Sequence, residues 1–423
     1  MTGPYIPNLP IFVLAAVFLL IAVRQVGRFR FQIWEIMLVG ALAVVINGDI
    51  PVPQILPAIN LDVMLFLFGM FVVGEALNES GYLYHLSYRL FIRAKSLDHL
   101  VLLILFGIGG LAALLMNDTL AIICTPLMLY FARQNGISPK LLLLTLAFGV
   151  TTATVASPIG SPHNLLIALD GGVKSPFVMF LLYLGVPTIL CLLIAYRALK
   201  LFFPREFNDK RISHIEEQIS DVPLANLSRI SLWIIVCMIG LKVLAPYFHT
   251  SLDFSLTFIA LIAALPILAV SDKRWQVLRQ IDWRTLVFFA AMFVLMKAVW
   301  GTGFFQQVMS DIKYDPRSVP MILTLSSLVS QLVSNVPFVA LYLPMIANGH
   351  HVPIATMALA AGSTIAGNLF ILGAASNIII VQNAERHGQT LTFVEFARVG
   401  LPLTVVQLLV YWGWLELLQY LMA

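Results

Sequence analysis

The chain is built from repeated apolar runs of about the length that crosses a membrane. The first reads IFVLAAVFLLIAV (11–23), and similar runs continue to the end of the sequence. A transmembrane helix needs roughly 20 mostly apolar residues. Of the 423 residues, 60% are hydrophobic and 11% charged, which leaves too little polar surface to cover a soluble globule. The sequence therefore predicts a polytopic membrane protein.

Ten spans are predicted from the lengths of these runs. They lie near 9–23, 32–48, 61–78, 139–170, 177–202, 228–246, 254–271, 285–300, 353–385 and 399–421. Two further apolar stretches, 98–133 and 317–349, are interrupted near their centres by Asn117 and Asn335. Length alone leaves three alternatives for each stretch, namely one kinked span, two spans or a re-entrant hairpin.

The distribution of Lys and Arg distinguishes these alternatives, because cytoplasmic loops carry an excess of both. The basic links are 24–30, 89–95, 133–140, 200–211, 273–284 and 386–398. If both broken stretches are hairpins, all of these links lie inside and the links with almost no basic residue lie outside. Lys313 and Arg317 are the exceptions. We therefore predict that hairpin 98–133 opens inward and that hairpin 317–349 opens outward. Both termini are predicted to lie on the outer side of the cell (inner) membrane.

The second half of the chain repeats features of the first. The matched positions are MFV at 70–72 with MFV at 292–294, Gly81 with Gly303, Asn117 and Pro126 with Asn335 and Pro344, and Gly149, Thr151, Gly160 and Asn164 with Gly362, Thr364, Gly373 and Asn377. Each half then holds five spans and one hairpin, and an odd number of spans gives the halves opposite topology. The predicted fold class is an all-α inverted repeat, with a first repeat at 1–202, a cytoplasmic linker at 203–227 and a second repeat at 228–423.

Four polar segments interrupt the apolar runs at membrane depth. They read MNDT (116–119), SPIGSPHN (157–164), SNVP (334–337) and FILGAASN (370–377). Irregular backbone survives there only where it is buried in protein or lines a watery cavity. Broken helices at matching positions of inverted halves indicate a transporter binding site near the midplane. The candidate site residues are Asn117, Asp118, Thr119, Gly160, Ser161, Asn164, Ser334, Asn335, Gly373, Ser376 and Asn377, with Thr151, His163 and Thr364 as further candidates.

Structural roles are the alternative for several of these residues. Asn is a favoured N-cap, so the four asparagines are also suited to capping broken helices. Thr151 and Thr364 are able to bond their own helix carbonyls. His163 is either a proton carrier or a partner for local backbone. These alternatives stay open at the level of sequence.

Asp118 is the one acidic residue at either hairpin tip. A carboxylate at bilayer depth costs about 2.5–3.5 kcal/mol on insertion scales, so we expect a proton, a bound cation or a basic partner to neutralise it. The nearest basic residue in sequence is Arg133. Our hypothesis is that Asp118 couples the driving ion to the substrate. If that ion is sodium, the expected ligands are Asn117, Asp118, Gly160 and Asn164.

Two hairpins with an Asn at each tip, each followed by a span broken at Gly-x-x-x-Asn, resemble the ion transporter superfamily. That superfamily includes sodium-coupled dicarboxylate and citrate carriers, arsenite efflux permeases and some sodium/proton antiporters. The resemblance covers nearly the whole chain and implies a homodimer that works by an elevator motion. The dicarboxylate branch carries Ser-Asn-Thr at both tips. Here the tips read MNDT and SNVP, which is more similar to the arsenite and antiporter branches.

The predicted function is secondary active transport of a small inorganic or organic anion, coupled to protons or sodium. The alternatives are a sodium/proton antiporter and an arsenite efflux permease that works with an external ATPase. Neither Gly-x-Ser-x-Gly nor His-Glu-x-x-His occurs, so the sequence does not indicate an enzyme. A channel would lack the matched broken halves. We expect the partners to be a small ionic substrate, the lipid bilayer and a second copy of the chain, with no nucleic acid and no cofactor besides sodium.

The predicted topology is open to a labelling test. Asn135 lies in an inside link and Gly349 in an outside link, so cysteines at these two positions should react with membrane-impermeant maleimide from opposite sides. The measurement is labelling of intact cells compared with inverted vesicles. If Asn135→Cys and Gly349→Cys react from the same side, the hairpin assignment is wrong.

Overall fold

The computed structural model describes residues 9–23, 25–26, 29–30, 32–91, 94–207, 221–244, 254–304, 307, 315–346 and 352–422. These residues are mainly helical, and two short paired strands, Gln25–Val26 and Phe29–Arg30, follow the first helix. The helices of the first half are α1 (Leu9–Val23), α2 (Ile33–Ile46), α3 (Val52–Ala58), α4 (Leu61–Glu79), α5 (Tyr82–Phe91), α6 (Leu97–Leu102), α7 (Gly109–Leu115), α8 (Asn117–Asn135), α9 (Pro139–Thr154), α10 (Pro162–Asp170) and α11 (Pro176–Phe202). Those of the second half are α12 (Val222–Leu244), α13 (Leu256–Val270), α14 (Arg274–Gln280), α15 (Trp283–Gly301), α16 (Val319–Val333), α17 (Asn335–Ile346), α18 (Val352–Ile365), α19 (Ala375–Arg386) and α20 (Phe393–Met422).

Six of the helices in the described ranges are long and apolar enough to cross a membrane. They are α4, the continuous helix Leu97–Leu115, α11, α12, α15 and α20. The helix Leu97–Leu115 joins α6 to α7 through a π-helical turn at Leu103–Ile108. The predicted spans 139–170 and 353–385 are each divided into two shorter helices, at the breaks that the sequence indicates. A multi-pass membrane protein is therefore confirmed.

Two predicted boundaries differ from the structure by six residues, since α12 and α20 both begin before the predicted span, α20 at Phe393 rather than 399. Helix α12 begins at Val222, six residues before the predicted span at 228, because a carboxylate oxygen of Asp221 accepts the backbone N–H of Leu224 (3.0 Å) and caps the helix. The span estimate used apolar length alone and missed this cap. Most of the predicted linker, 208–220, lies outside the described residues, and so do Lys313 and Gly349.

The helices pack into two groups. In the first, the α4 bundle, α4 packs against α12 and α13 while α2 packs against α1 and α15. In the second, the hairpin bundle, α8 packs against α9 and α19, α11 against α20, and α16 against α18. Both predicted hairpins therefore pack with the broken helices. The candidate site lies among these elements.

Polar contacts between helix ends agree with the charge pattern. Lys140 forms an ion pair with Glu395, and Lys200 forms one with Asp98 (2.6 Å). Each contact joins two links that the pattern assigns to the inside. On the links assigned to the outside, the Asn60 amide donates to the Asp170 carboxylate (2.9 Å). Which of the two faces is cytoplasmic stays a prediction.

Candidate functional site

Both hairpins reverse direction through a single residue. Met116 (φ 74°, ψ 141°) separates α7 from α8, and Ser334 (φ 72°, ψ 153°) separates α16 from α17. A residue other than glycine in this region costs of order 1–3 kcal/mol and persists where the surroundings hold it. The sequence pattern placed the interruptions at Asn117 and Asn335. The structure places the turn one residue earlier and makes each Asn the first residue of a helix.

Four helices begin at one cavity with a volume of about 980 Å³. The first residues of α8, α10, α17 and α19 line it, and these are Asn117, Pro162, Asn335 and Ala375. The first N–H groups of a helix have no partner within that helix, and the helix dipole adds partial positive charge at this end. Four helix N-termini therefore bring partial positive charge to the wall of this cavity.

The cavity continues from the hairpin tips to the starts of two other helices and to the far end of α19. Trp34 near the start of α2, Asp282 and Arg284 at the start of α15, and Arg386 at the end of α19 line this mouth. The charged or titratable side chains on the cavity wall are Asp118, His163, Asp282, Arg284 and Arg386. The hairpin tips therefore contact a cavity that has charged groups along its whole length.

The structure separates the predicted site residues into two sets. Those that line the cavity are Asn117, Asp118, His163, Ser334 and Asn335. Those that lie behind its wall are Thr119, Thr151, Gly160, Ser161, Asn164, Thr364, Gly373, Ser376 and Asn377. The second set supports the wall and does not form it.

The tip asparagines have free acceptors. Asn117 and Asn335 are each 7% exposed, and the carboxamide oxygen of each has no hydrogen-bond partner within the described ranges. The backbone N–H of Asn117 donates to the carbonyl of Gly160 (3.0 Å), which ties the first tip to the break in the following span. A buried acceptor without a partner costs about 1–3 kcal/mol. Both side chains are thus held ready to bind a donor or a cation.

Asn164 and Asn377 are used differently. The Asn164 amide donates to the carbonyls of Thr154 (2.9 Å) and Ser157 (3.1 Å), where α9 ends. The Asn377 amide donates to the carbonyl of Gly367 (2.6 Å), just after the end of α18. Each Asn therefore closes the carbonyl end of the preceding helix, a structural role different from the N-cap that the sequence suggested.

His163 connects the two halves of the chain. Its Nε2 atom lies 2.9 Å from Thr364 Oγ1 and 3.2 Å from Ser161 Oγ. Thr364 donates its hydroxyl proton to the carbonyl of Ala360 (2.7 Å), so its oxygen is free to accept from His163. A neutral imidazole with its proton on Nε2 and an acceptor at Nδ1 satisfies these contacts.

Asp118 is partly buried at the second position of α8, and its carboxylate forms no ion pair or hydrogen bond with the residues that the structure describes. Asp282 lines the same cavity and adds a second negative charge. The Thr119 side chain packs against Gly74 of α4 and not against the cavity. The contact is so close that a Cβ atom on Gly74 would lie 3.1 Å from the Thr119 side chain. Of the first tip, Asn117 and Asp118 therefore face the cavity and Thr119 packs against α4.

The comparisons with known proteins assign this chain to a family. Residues 15–355 match the family model described as "Citrate transporter" (CitMHS). The chain belongs to the citrate transporter family. An uncharacterised transporter of Mycobacterium tuberculosis is 27% identical over 427 residues, covering 94% of this chain and 95% of the relative. The human P protein is 24% identical over 489 residues, and the match covers 93% of this chain and 58% of that protein.

Two solved transporters are similar in fold. MtrF of Neisseria gonorrhoeae, described as illuminating a class of antimetabolite efflux pumps, matches with a TM-score of 0.56 and 14% identity over 98% of this chain and 95% of its own. YdaH of Alcanivorax borkumensis, described as a transporter with an unusual topology, matches with a TM-score of 0.53 and 15% identity over 97% of each chain. These likenesses concern the fold, and the family match confirms the predicted ion transporter superfamily.

A buried polar network of this citrate transporter family member was missed at the level of sequence. The Asn368 amide donates to Thr152 Oγ1 (2.9 Å) and Gln407 Oε1 (2.9 Å), and the Gln407 amide donates to Thr152 Oγ1 (3.1 Å). All three residues are fully buried. The available signal was a polar residue inside an apolar span. The network joins the ends of the two broken helices to α20.

The predicted sodium ligands fit a cation in part. Asn117 Oδ1 and the Asp118 carboxylate are free, and the Gly160 carbonyl keeps one lone pair after binding the Asn117 N–H. Asn164 Oδ1 lies 3.3 Å from the Thr364 hydroxyl, away from the cavity wall. Within the described ranges, no group of three or more His, Cys, Asp and Glu residues is placed to hold a metal ion. The first tip thus offers two of the four predicted oxygen ligands, and the Gly160 carbonyl behind it offers a third.

The two uses of Asn predict different effects on stability. Asn164→Ala leaves the Thr154 and Ser157 carbonyls without a partner, which should reduce stability by about 1–3 kcal/mol. Asn117→Ala and Asn335→Ala remove oxygens that have no partner, so both variants should melt close to the wild type. The measurement is thermal unfolding of the purified protein in detergent. A melting temperature for Asn117→Ala as low as that of Asn164→Ala would contradict this assignment.

Proposed function

We propose that this protein is a secondary active transporter of a small anion, driven by protons or sodium. The observation that carries the proposal is the convergence of four helix N-termini and two free Asn carboxamides on one cavity. Helix N-termini bind anions through unpaired N–H groups and the helix dipole. Broken helices of transporters point these ends at anionic groups of their substrates. Citrate is the first anion to test, because the family is described by it.

Local geometry supports the proposed inverted repeat. The turn residues Met116 and Ser334 have nearly the same φ and ψ angles. Asn164 and Asn377 each bond a carbonyl ten residues earlier in the chain. We assign the repeats to 1–202 and 228–423, as the sequence predicts, with hairpin 98–133 opening inward and hairpin 317–349 outward.

The two bundles support an elevator motion. The hairpin bundle holds every residue of the tips and breaks, whereas the α4 bundle contributes the start of α2 and α15 to the cavity mouth. A polar contact between the bundles is the Asn60–Asp170 bond. We propose that the hairpin bundle carries the substrate past the α4 bundle in a homodimer in the inner membrane.

Asp118 provides a basis for coupling. Its negative charge opposes an anion bound at the neighbouring helix N-termini, and a proton or a sodium ion on the carboxylate removes that opposition. Cation binding then raises anion affinity, and anion binding raises cation affinity by the same factor. The second candidate, a sodium/proton antiporter, would use the free Asp118 carboxylate as its exchange site without an anion.

Uptake into proteoliposomes tests the transport function. With radiolabelled citrate and an imposed pH or sodium gradient, the wild type should accumulate citrate above its external concentration. Asn117→Ala and Asn335→Ala should each lose most of this uptake, because a polar ligand in a desolvated site contributes about 1–3 kcal/mol. Asn78→Ala, a change at an exposed position away from the cavity, is the matched control. If the internal citrate concentration only reaches the external one, the protein is a channel. If both tip variants take up citrate almost as well as the wild type, Asn117 and Asn335 have a structural role and do not bind the substrate.

The role of Asp118 has its own test. Asp118→Asn is neutral without a bound ion, so the variant should exchange citrate across the membrane and fail to concentrate it against a gradient. The measurements are citrate counterflow and gradient-driven uptake in the same proteoliposomes. If Asp118→Asn still concentrates citrate with the pH or sodium dependence of the wild type, Asp118 is not the coupling residue.

A further inference from the structure

Two arginines line the mouth of the cavity. Arg284 is the second residue of α15, and Arg386 is the last residue of α19. Both are exposed, and neither forms an ion pair or hydrogen bond with the part of the chain that the structure describes. By contrast, Lys140, Lys200 and Lys273 at other helix ends each pair with a carboxylate. The two guanidinium groups at the mouth are thus available to a solute.

Helix stability does not explain the place of Arg284. A cation in the first turn of a helix opposes the partial positive charge of that end. Basic residues near helix ends on the inside face help to set the orientation of the protein in the membrane. Arg274 and Arg279 of α14 are placed to do this without lining the cavity. What distinguishes Arg284 and Arg386 is their place on the cavity wall.

The charges at the mouth itself, those of Arg284, Arg386 and Asp282, sum to a positive value, and Asp118 lies at the hairpin tip beyond them. The two positive charges of Arg284 and Arg386 exceed the single negative charge of Asp282. The two carboxylate oxygens of Asp282 accept from the Thr285 N–H (3.1 Å) and the Thr285 hydroxyl (2.6 Å). These bonds hold Asp282 on its own helix. A mouth with a net positive charge raises the local concentration of anions.

We propose that Arg284 and Arg386 form an anion-attracting mouth that selects multivalent anions for the site at the hairpin tips. The inference rests on the proposed function, since it assigns to the mouth the capture of the anion that the tips bind. Coulomb energy scales with the charge of the solute. A tricarboxylate such as citrate is therefore attracted more strongly than a monocarboxylate such as acetate, and the attraction weakens as salt is added.

A reporter cysteine measures this potential without reference to any substrate. Gln382 is exposed, lines the cavity and lies one helical turn before Arg386. Cys124 and Cys191 are buried, so Gln382→Cys in a Cys237→Ser background provides the reactive thiol. The measured quantity is the ratio of its reaction rates with anionic and cationic methanethiosulfonate reagents. In the double variant Arg284→Gln/Arg386→Gln the ratio should fall about fourfold at 0.15 M salt and about tenfold at 0.01 M.

Two controls isolate the charge. Arg279→Gln removes an exposed arginine of α14 that does not line the cavity, and it should leave the ratio unchanged. Arg284→Lys/Arg386→Lys keeps both charges and should keep the ratio. If the double glutamine variant does not fold, Arg386→Gln alone should still lower the ratio about twofold. A ratio that Arg284 and Arg386 do not affect at either salt concentration would overturn the proposal.

Citrate uptake supplies the second readout. With native Gln382, Arg284→Gln/Arg386→Gln should raise the KM for citrate about eightfold at 0.15 M salt with kcat unchanged, because citrate carries three charges and the reagents one each. An unchanged KM would overturn the selective role. A wild type that takes up no citrate would refute citrate transport, while the reagent ratio would still decide whether the mouth attracts anions.

Discussion

The backbone N–H and C=O groups at the ends of the broken helices constrain the centre of this structure, because they lack partners within their own helices. Hydrocarbon offers them no partners, so each broken helix must find its own. The carbonyl ends are closed by protein, since Asn164 bonds the end of α9, Asn377 bonds Gly367, and Gln331 donates to the carbonyl of Ala366 (2.7 Å). The N-terminal ends instead face the cavity. Because these backbone carbonyls are closed by protein and the helix N-termini face the cavity, the backbone favours negative charge there, while the free Asn117 and Asn335 oxygens remain for a donor or a cation.

The strained hairpin turns also help to place helix N-termini at the cavity. A single left-handed residue reverses each hairpin, which brings the first N–H groups of α8 and α17 to the tips. Met116 is 1% exposed, so close packing holds its unfavourable angles. Glycine would adopt these angles without strain but would add conformational freedom in the unfolded chain. The cost at Met116 and Ser334 is compatible with a site whose geometry is fixed before the ligand arrives.

The sequence predicts where the membrane helices break, because polar residues inside apolar runs are conspicuous and have few physical explanations. It did not reveal which face of a helix each polar residue takes. Asp118 and Thr119 are adjacent, yet one lines the cavity and the other packs against Gly74. The turn residues carry no turn signal, since Met and Ser have no special preference for left-handed angles. The network around Asn368 depends on α20 packing across the broken helices, which single-chain periodicity does not encode.

The charge balance of the cavity gives a physical reason for coupled transport under the proposed function. In the empty state the ionised Asp118 lies among four helix N-termini, each equivalent to about half a positive charge. In the fully loaded state the substrate anion occupies those ends while a proton or a sodium ion neutralises Asp118. For a substrate with one negative charge, the empty state and the fully loaded state therefore carry the same net charge into the membrane. Each further negative charge on the substrate needs a further cation. An anion without its cation adds unbalanced negative charge, and a cation without the anion leaves the helix ends uncompensated. Moving unbalanced charge through hydrocarbon is costly, so both partly loaded states are disfavoured during the proposed elevator motion.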